Sequence, residues 1–187
     1  ARHAWYLYDF GNSAYAAVIL LAVFSPYFKD VVVGNGVEGT RLWGISVGIA
    51  SVLVALMSPV FGTIADFTKS KKKFLFVFTA ISVLSTALLF FVRAGDVFTG
   101  ILFFILAEIG YRGAQVFYDA LLTDVSTPES VGSVSGKGWG LGMLGGIAAL
   151  LVVLAPLQLV GNSIIPYTFL ITAFIYMISA LPTFLFV

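Results

Sequence analysis

Apolar residues run in long blocks along the chain, and charged residues fall almost entirely between them. Phe10 to Phe28, Leu42 to Ala65 and Phe74 to Val92 contain no charged side chain, and Gly138 to Val187 is fifty residues without one. About 20 apolar residues cross a bilayer as a helix, so the last run is two crossings. Pro156, Gly161-Asn162-Ser163 and Pro166 supply turn chemistry where it must fold back. The pattern predicts six helices, at about 4–28, 41–65, 73–93, 97–121, 134–158 and 163–187. The fourth is the least apolar, but Val97 to Ala107 is strongly so, and the polar residues after it keep helical spacing. One all-α polytopic membrane domain over 1–187 is expected.

Composition removes the other classes. Of 187 residues, 60% are hydrophobic and only 10% charged, against roughly 25% charged in a soluble domain. A net charge of +1 gives no footprint for nucleic acid. Cysteine is absent and His3 is the single histidine, so no thiolate or His-rich metal site, cofactor site or catalytic triad is expected, and no enzyme. The partners expected are the lipid bilayer and a small-molecule solute.

Basic residues set the direction of crossing. Arg2, Lys69, Lys71, Lys72, Lys73 and Lys137 would share one side, and Lys29, Arg41 and Arg93 the other. The excess places both termini in the cytoplasm. The first apolar run is full-length and lacks a small-residue cleavage site, so it reads as a crossing rather than a signal peptide. Ala rather than Met at position 1 fits a trimmed N-terminus. Three helices followed by three of opposite orientation suit a 3+3 inverted repeat.

The ionisable residues inside these blocks carry the chemistry, because a charge near the bilayer centre costs about 2.5–3.5 kcal/mol on insertion scales and normally faces a cavity or a partner. Glu108, Arg112, Gln115 and Asp119 fall on one face of the fourth helix. Tyr111 and Tyr118 border that stripe. The first helix carries Asp9, Asn12 and Ser13 between Tyr8 and Tyr15. If the first and fourth helices line one cavity, these residues form its inner wall. Two readings stand side by side: Glu108 and Arg112 neutralise each other and lock packing, or they bind a substrate or a proton. In the fifth helix Gly138, Gly142 and Gly146 repeat at intervals of four, a face for close helix packing.

Between the second and third helices, Gly62-Thr63-Ile64-Ala65-Asp66 is followed by Lys69, Lys71, Lys72 and Lys73. Gly-x-x-x-Asp with a basic cluster at this place resembles the loop signature of the major facilitator superfamily, although Phe67, Lys69 and Ser70 depart from its usual residues. Trp5-Tyr6-Leu7-Tyr8-Asp9-Phe10-Gly11-Asn12-Ser13-Ala14-Tyr15 resembles the opening helix of its vacuole-effluxer-like branch. So do Phe117-Tyr118-Asp119-Ala120-Leu121-Leu122-Thr123-Asp124 and Val134-Ser135-Gly136-Lys137-Gly138-Trp139. The fifth-helix glycine run is similar to the superfamily's motif there, with Met143 at its proline position.

The resemblance implies secondary transport by alternating access, with the first and fourth helices bordering a central cavity and amino acids or organic anions as solutes. It implies that Gly62, Asp66 and Lys71 belong to a loop that stabilises one access state. Superfamily members have twelve helices, so the chain is expected to be the N-terminal six-helix half. Its partner would be a second six-helix half, either its own C-terminal half or a second copy in a half-size homodimer. Rings of like charge, which a channel needs, are not visible; a non-transporting membrane scaffold or assembly subunit is the remaining alternative.

Overall fold

The computed structural model describes residues 1–187 and contains six spans and no strand. They are α1 (Arg2–Val32), α2 (Gly36–Thr68), α3 (Lys71–Phe91), α4 (Val97–Val125), α5 (Val131–Val160) and α6 (Asn162–Phe186), each long and apolar enough to cross a membrane. The six-span all-α architecture read from the apolar blocks is the one observed.

Local chemistry sets where these spans begin and bend. Asn35 opens α2, its side-chain oxygen accepting from the N–H groups of Val37 at 3.0 Å and Glu38 at 3.2 Å, which satisfies two of the donors a helix start leaves free. Gly161 joins α5 to α6 at φ 101°, a conformation open to glycine and costly for other residues. In α1 regular α-helix ends at Tyr15, and Ala16–Ala22 and Phe28–Val32 widen to π-helix around the short turn Phe24–Tyr27. Pro26 has no N–H to return to the preceding turn, which accounts for a break just before it. The wider turns rotate the later part of α1 relative to its first half.

Packing follows a two-fold plan. α1 packs on α5 and α6, α4 packs on α2 and α3, and α3 packs on α6. Exchanging the first three spans for the last three maps this pattern onto itself, as a 3+3 repeat requires. Close-approach glycines obey the same exchange. A Cβ on Gly11 of α1 would lie 3.0 Å from the Tyr176 Cα on α6, and one on Gly110 of α4 would lie 2.5 Å from the Ser82 nitrogen on α3. Aromatic residues fill the interior: Tyr8, Tyr15, Phe24, Phe28, Phe104, Phe169 and Tyr176 are all buried. α2 and α5 are the exceptions. In their most apolar stretches only 11% and 17% of residues are buried, against 33% or more in the other four spans.

Candidate functional site

Two bridges tie α1 to α4. In one, the Trp5 indole N–H donates to the Tyr118 carbonyl at 3.0 Å, and the Tyr118 hydroxyl donates to the Trp5 carbonyl at 3.2 Å. Their rings stack with centroids 4.4 Å apart. In the other, the Tyr15 hydroxyl donates to Glu108 Oε2 at 2.9 Å. Trp5 and Tyr15 are ten residues apart, as are Tyr118 and Glu108; both intervals span about 15 Å of helix. The antiparallel register is therefore fixed. Tyr8, Asp9 and Asn12 of α1 and Tyr111, Arg112 and Gln115 of α4 fall between the bridges. Asp119 lies one residue beyond Tyr118 and is exposed.

Glu108 is wholly buried, and its second oxygen accepts from Arg112 Nε at 2.6 Å. The Arg112 side chain is 38% exposed. That bond uses Nε, so the two terminal nitrogens of the guanidinium fork can meet another acceptor. Tyr111 stacks on Tyr15 at 4.6 Å and closes one side of the pair. Three ion pairs occur in the molecule, Arg41–Glu38, Lys71–Asp124 and Arg112–Glu108. Only the last sits in the interior of the bundle.

Asp9 is half-buried and has no cationic partner. It packs against α5 where a Cβ on Gly142 would lie 2.5 Å from Asp9 Oδ2 and 2.8 Å from Ser13 Oγ. Gly138 makes similar room for the Trp5 ring, and Gly146 stands at ordinary contact distance from Ala17. Asn12 is buried, and its side-chain oxygen has no hydrogen-bond partner. Gln115 is half-buried. The residues expected in the α2–α3 loop stand apart from this group and lie in the helices themselves. Gly62 and Asp66 are in the last two turns of α2 and Lys71 is at the start of α3, because α2 runs on to Thr68 and only Lys69 and Ser70 form the turn. Gly62 has open space around it, and Asp66 is exposed at the rim of a cavity of about 630 Å³ at the end of the bundle. Lys71 lines the same cavity, 3.7 Å from Asp124, and donates to the Ala120 carbonyl at 3.3 Å.

Three contributors lie outside the helical pattern of the sequence. Thr79 of α3 and Tyr176 of α6 lie 2.7 and 3.0 Å from the Tyr8 hydroxyl and hold it from behind. Nothing in a one-helix pattern points across to them. Gly145 packs directly on the Phe10 backbone, three residues past Gly142 and outside the four-residue glycine repeat. A signal did exist for the internal symmetry. Asp9-Phe10-Gly11 and Glu108-Ile109-Gly110 place an acid two residues before the close-approach glycine in each repeat.

A family model described as "Vacuole effluxer Atg22 like" matches residues 31–131. A protein of Bacillus subtilis (strain 168) described as "Uncharacterized MFS-type transporter YxiO" is 36% identical over 168 residues, covering 88% of this chain and 39% of that protein. An "Uncharacterized protein" of Aquifex aeolicus (strain VF5) is 28% identical over 183 residues, covering 96% of this chain and 43% of that protein. The chain thus spans about two fifths of the length of these curated relatives. No solved structure matches.

Proposed function

Because the chain belongs to the vacuole effluxer Atg22-like family of major-facilitator-type transporters, we propose that it forms one six-helix half of a secondary transporter moving a small carboxylate-bearing solute by alternating access. It is an integral membrane protein of a transporter family, not of an enzyme class. The observation that carries the reading is a half-exposed Arg112 whose Nε is held by a wholly buried Glu108. A guanidinium fixed in this way offers its fork to a carboxylate in one orientation. Asp9, Asn12 and Gln115 line the path between the two bridges, and Asp119 stands at its mouth. A solute carboxylate arriving at Arg112 competes with Glu108 for the cation, and a proton takes the cation's place on Glu108. Amino acids and organic anions both fit this chemistry.

A second six-helix unit completes the cavity. Glycines with open space around them, outside the turns, lie only on the two least buried spans: Gly44, Gly48 and Gly62 on α2, and Gly132, Gly136 and Gly140 on α5. Small residues on a membrane helix let another backbone approach closely, so these faces suit the other half, whether a C-terminal half or a second copy. The lysine-rich α2–α3 turn then faces the cytoplasm, as do both ends of the chain. There Gly62 and Asp66 at the end of α2 and Lys71 at the start of α3 hold one access state, Lys71 reaching Asp124.

The test is uptake of radiolabelled amino acids and succinate into proteoliposomes across pH. Glu108→Gln keeps the acceptor for Tyr15 and removes the charge, so its transport should slow and lose its pH dependence. Unchanged rate and pH profile would remove Glu108 from the mechanism. The complete engagement of Glu108 by Tyr15 and Arg112 also fits a packing lock in a non-transporting scaffold. In that case Arg112→Ala lowers stability and leaves solute binding unchanged.

A further inference from the structure

The outer face between α3 and α6 carries a feature that transport does not use. Lys69, Ser70, Lys72 and Lys73 line a cavity of about 470 Å³ at the end of the bundle. Phe76 and Phe184 line it too, and the same two rings line an adjoining apolar groove of about 250 Å³ between the helices. Val83 and Leu84 of α3 and Met177 and Leu181 of α6 wall that groove. No acidic residue lines either space. Lys69 and Lys73 are exposed and form no ion pair, while Lys72 donates to the Val187 carbonyl at 3.2 Å. Lys69 also holds a left-handed backbone (φ 53°) at the end of α2, where glycine or asparagine is usual.

We propose that this basic cavity and the apolar groove adjoining it across Phe76 and Phe184 bind one anionic phospholipid, its phosphate on Lys69, Lys72 and Lys73 and an acyl chain between α3 and α6. Charge complementarity selects the headgroup, since three lysines and no carboxylate line this cavity, the nearest acids Asp66 and Asp124 lining the neighbouring cavity of about 630 Å³ that Lys69 and Lys72 also border. Length selects a lipid over a free phosphate. Lys73 to Leu84 is eleven residues, about 16 Å of helix, close to the roughly 15 Å depth of one leaflet's hydrocarbon. Phe76 and Phe184 meet edge to face at 5.2 Å where headgroup and tail would join. The site lies away from the α1–α4 cluster and stands whether or not that cluster carries a solute.

Native mass spectrometry of the detergent-purified protein with dioleoyl phosphatidylglycerol or dioleoyl phosphatidylcholine tests it. One phosphatidylglycerol should be retained in preference to phosphatidylcholine. A lysine near a lipid phosphate contributes about five-fold in affinity, so Lys69→Gln, Lys72→Gln and Lys73→Gln together should weaken retention roughly a hundred-fold. Ala80→Phe, which fills the groove and keeps every lysine, should also weaken it. Equal retention of the two lipids overturns the proposal, as does full retention by the triple variant. Undiminished retention in Ala80→Phe overturns the acyl-chain placement. Displacement of the lipid by an equal concentration of glycerol 3-phosphate shows an anion site only, and overturns it as well.

Discussion

Glu108 has no exposed surface, and both of its oxygens are occupied, one by Tyr15 and one by Arg112. A buried carboxylate held in this way is sensitive to either donor. Hydrogen bonds between membrane helices contribute about 0.6–1.7 kcal/mol, so Tyr15→Phe should destabilise the protein by roughly that amount. Thermal unfolding in detergent reads it. The same substitution in a Glu108→Leu background should cost less, because the acceptor for the hydroxyl is already gone. An equal loss in both backgrounds would mean that the Tyr15 hydroxyl stabilises the protein without Glu108.

At the scale of the helix, close approach is a property of single glycines. A Cβ on Gly145 would overlap the Phe10 backbone, whereas one on Gly146 would meet nothing nearer than 3.6 Å. Gly145→Ala should therefore cost about 1–3 kcal/mol through forced separation of α1 and α5. Gly146→Ala should change stability little. Equal effects at these neighbouring positions would contradict the α1–α5 packing. The contrast marks how far the sequence could be read. Blocks of apolar residues gave away six spans because hydrocarbon tolerates little else, and helical spacing put Glu108, Arg112 and Gln115 on one face. Spacing within a helix is blind to which helix lies opposite. The intervals of four ran through Gly138, Gly142 and Gly146, while the tightest contact falls on Gly145, at a phase set by the approach of α1. The same blindness hid Thr79 and Tyr176 behind Tyr8. The π-helical stretches of α1 left no periodic signal, since a single wider turn shifts the phase without changing composition.

For the molecule as a whole, the pattern of exposure is uneven in a way lipid alone does not explain. α2 and α5 keep open glycines and few buried residues, while α3 and α6 enclose a basic-to-apolar groove. A second six-helix unit on the α2 and α5 faces should shield them from the bilayer. The chain has no cysteine, so single-cysteine variants at Leu56, Leu151 and Leu88 can each carry a spin label without background. Oxygen accessibility in liposomes should be high at Leu88 on α3 and lower at Leu56 on α2 and Leu151 on α5. Equal accessibility at all three would leave the six helices without a partner. Gly136→Leu should impair transport while leaving the fold of the six-helix unit intact, which circular dichroism and uptake together would report.

The central claim is that Arg112, steadied by Glu108 between the two α1–α4 bridges, holds the carboxylate of a small solute. Its most direct test is the shift in melting temperature of the purified protein, prepared together with the second six-helix unit that completes its cavity, with a panel of amino acids, monocarboxylates and dicarboxylates, set beside their amide analogues, for wild type and Arg112→Ala. At least one carboxylate should stabilise the wild type, its amide should not, and the shift should vanish in Arg112→Ala. Stabilisation by amide and acid alike, a shift that survives the loss of Arg112, or no shift across the panel would contradict the claim.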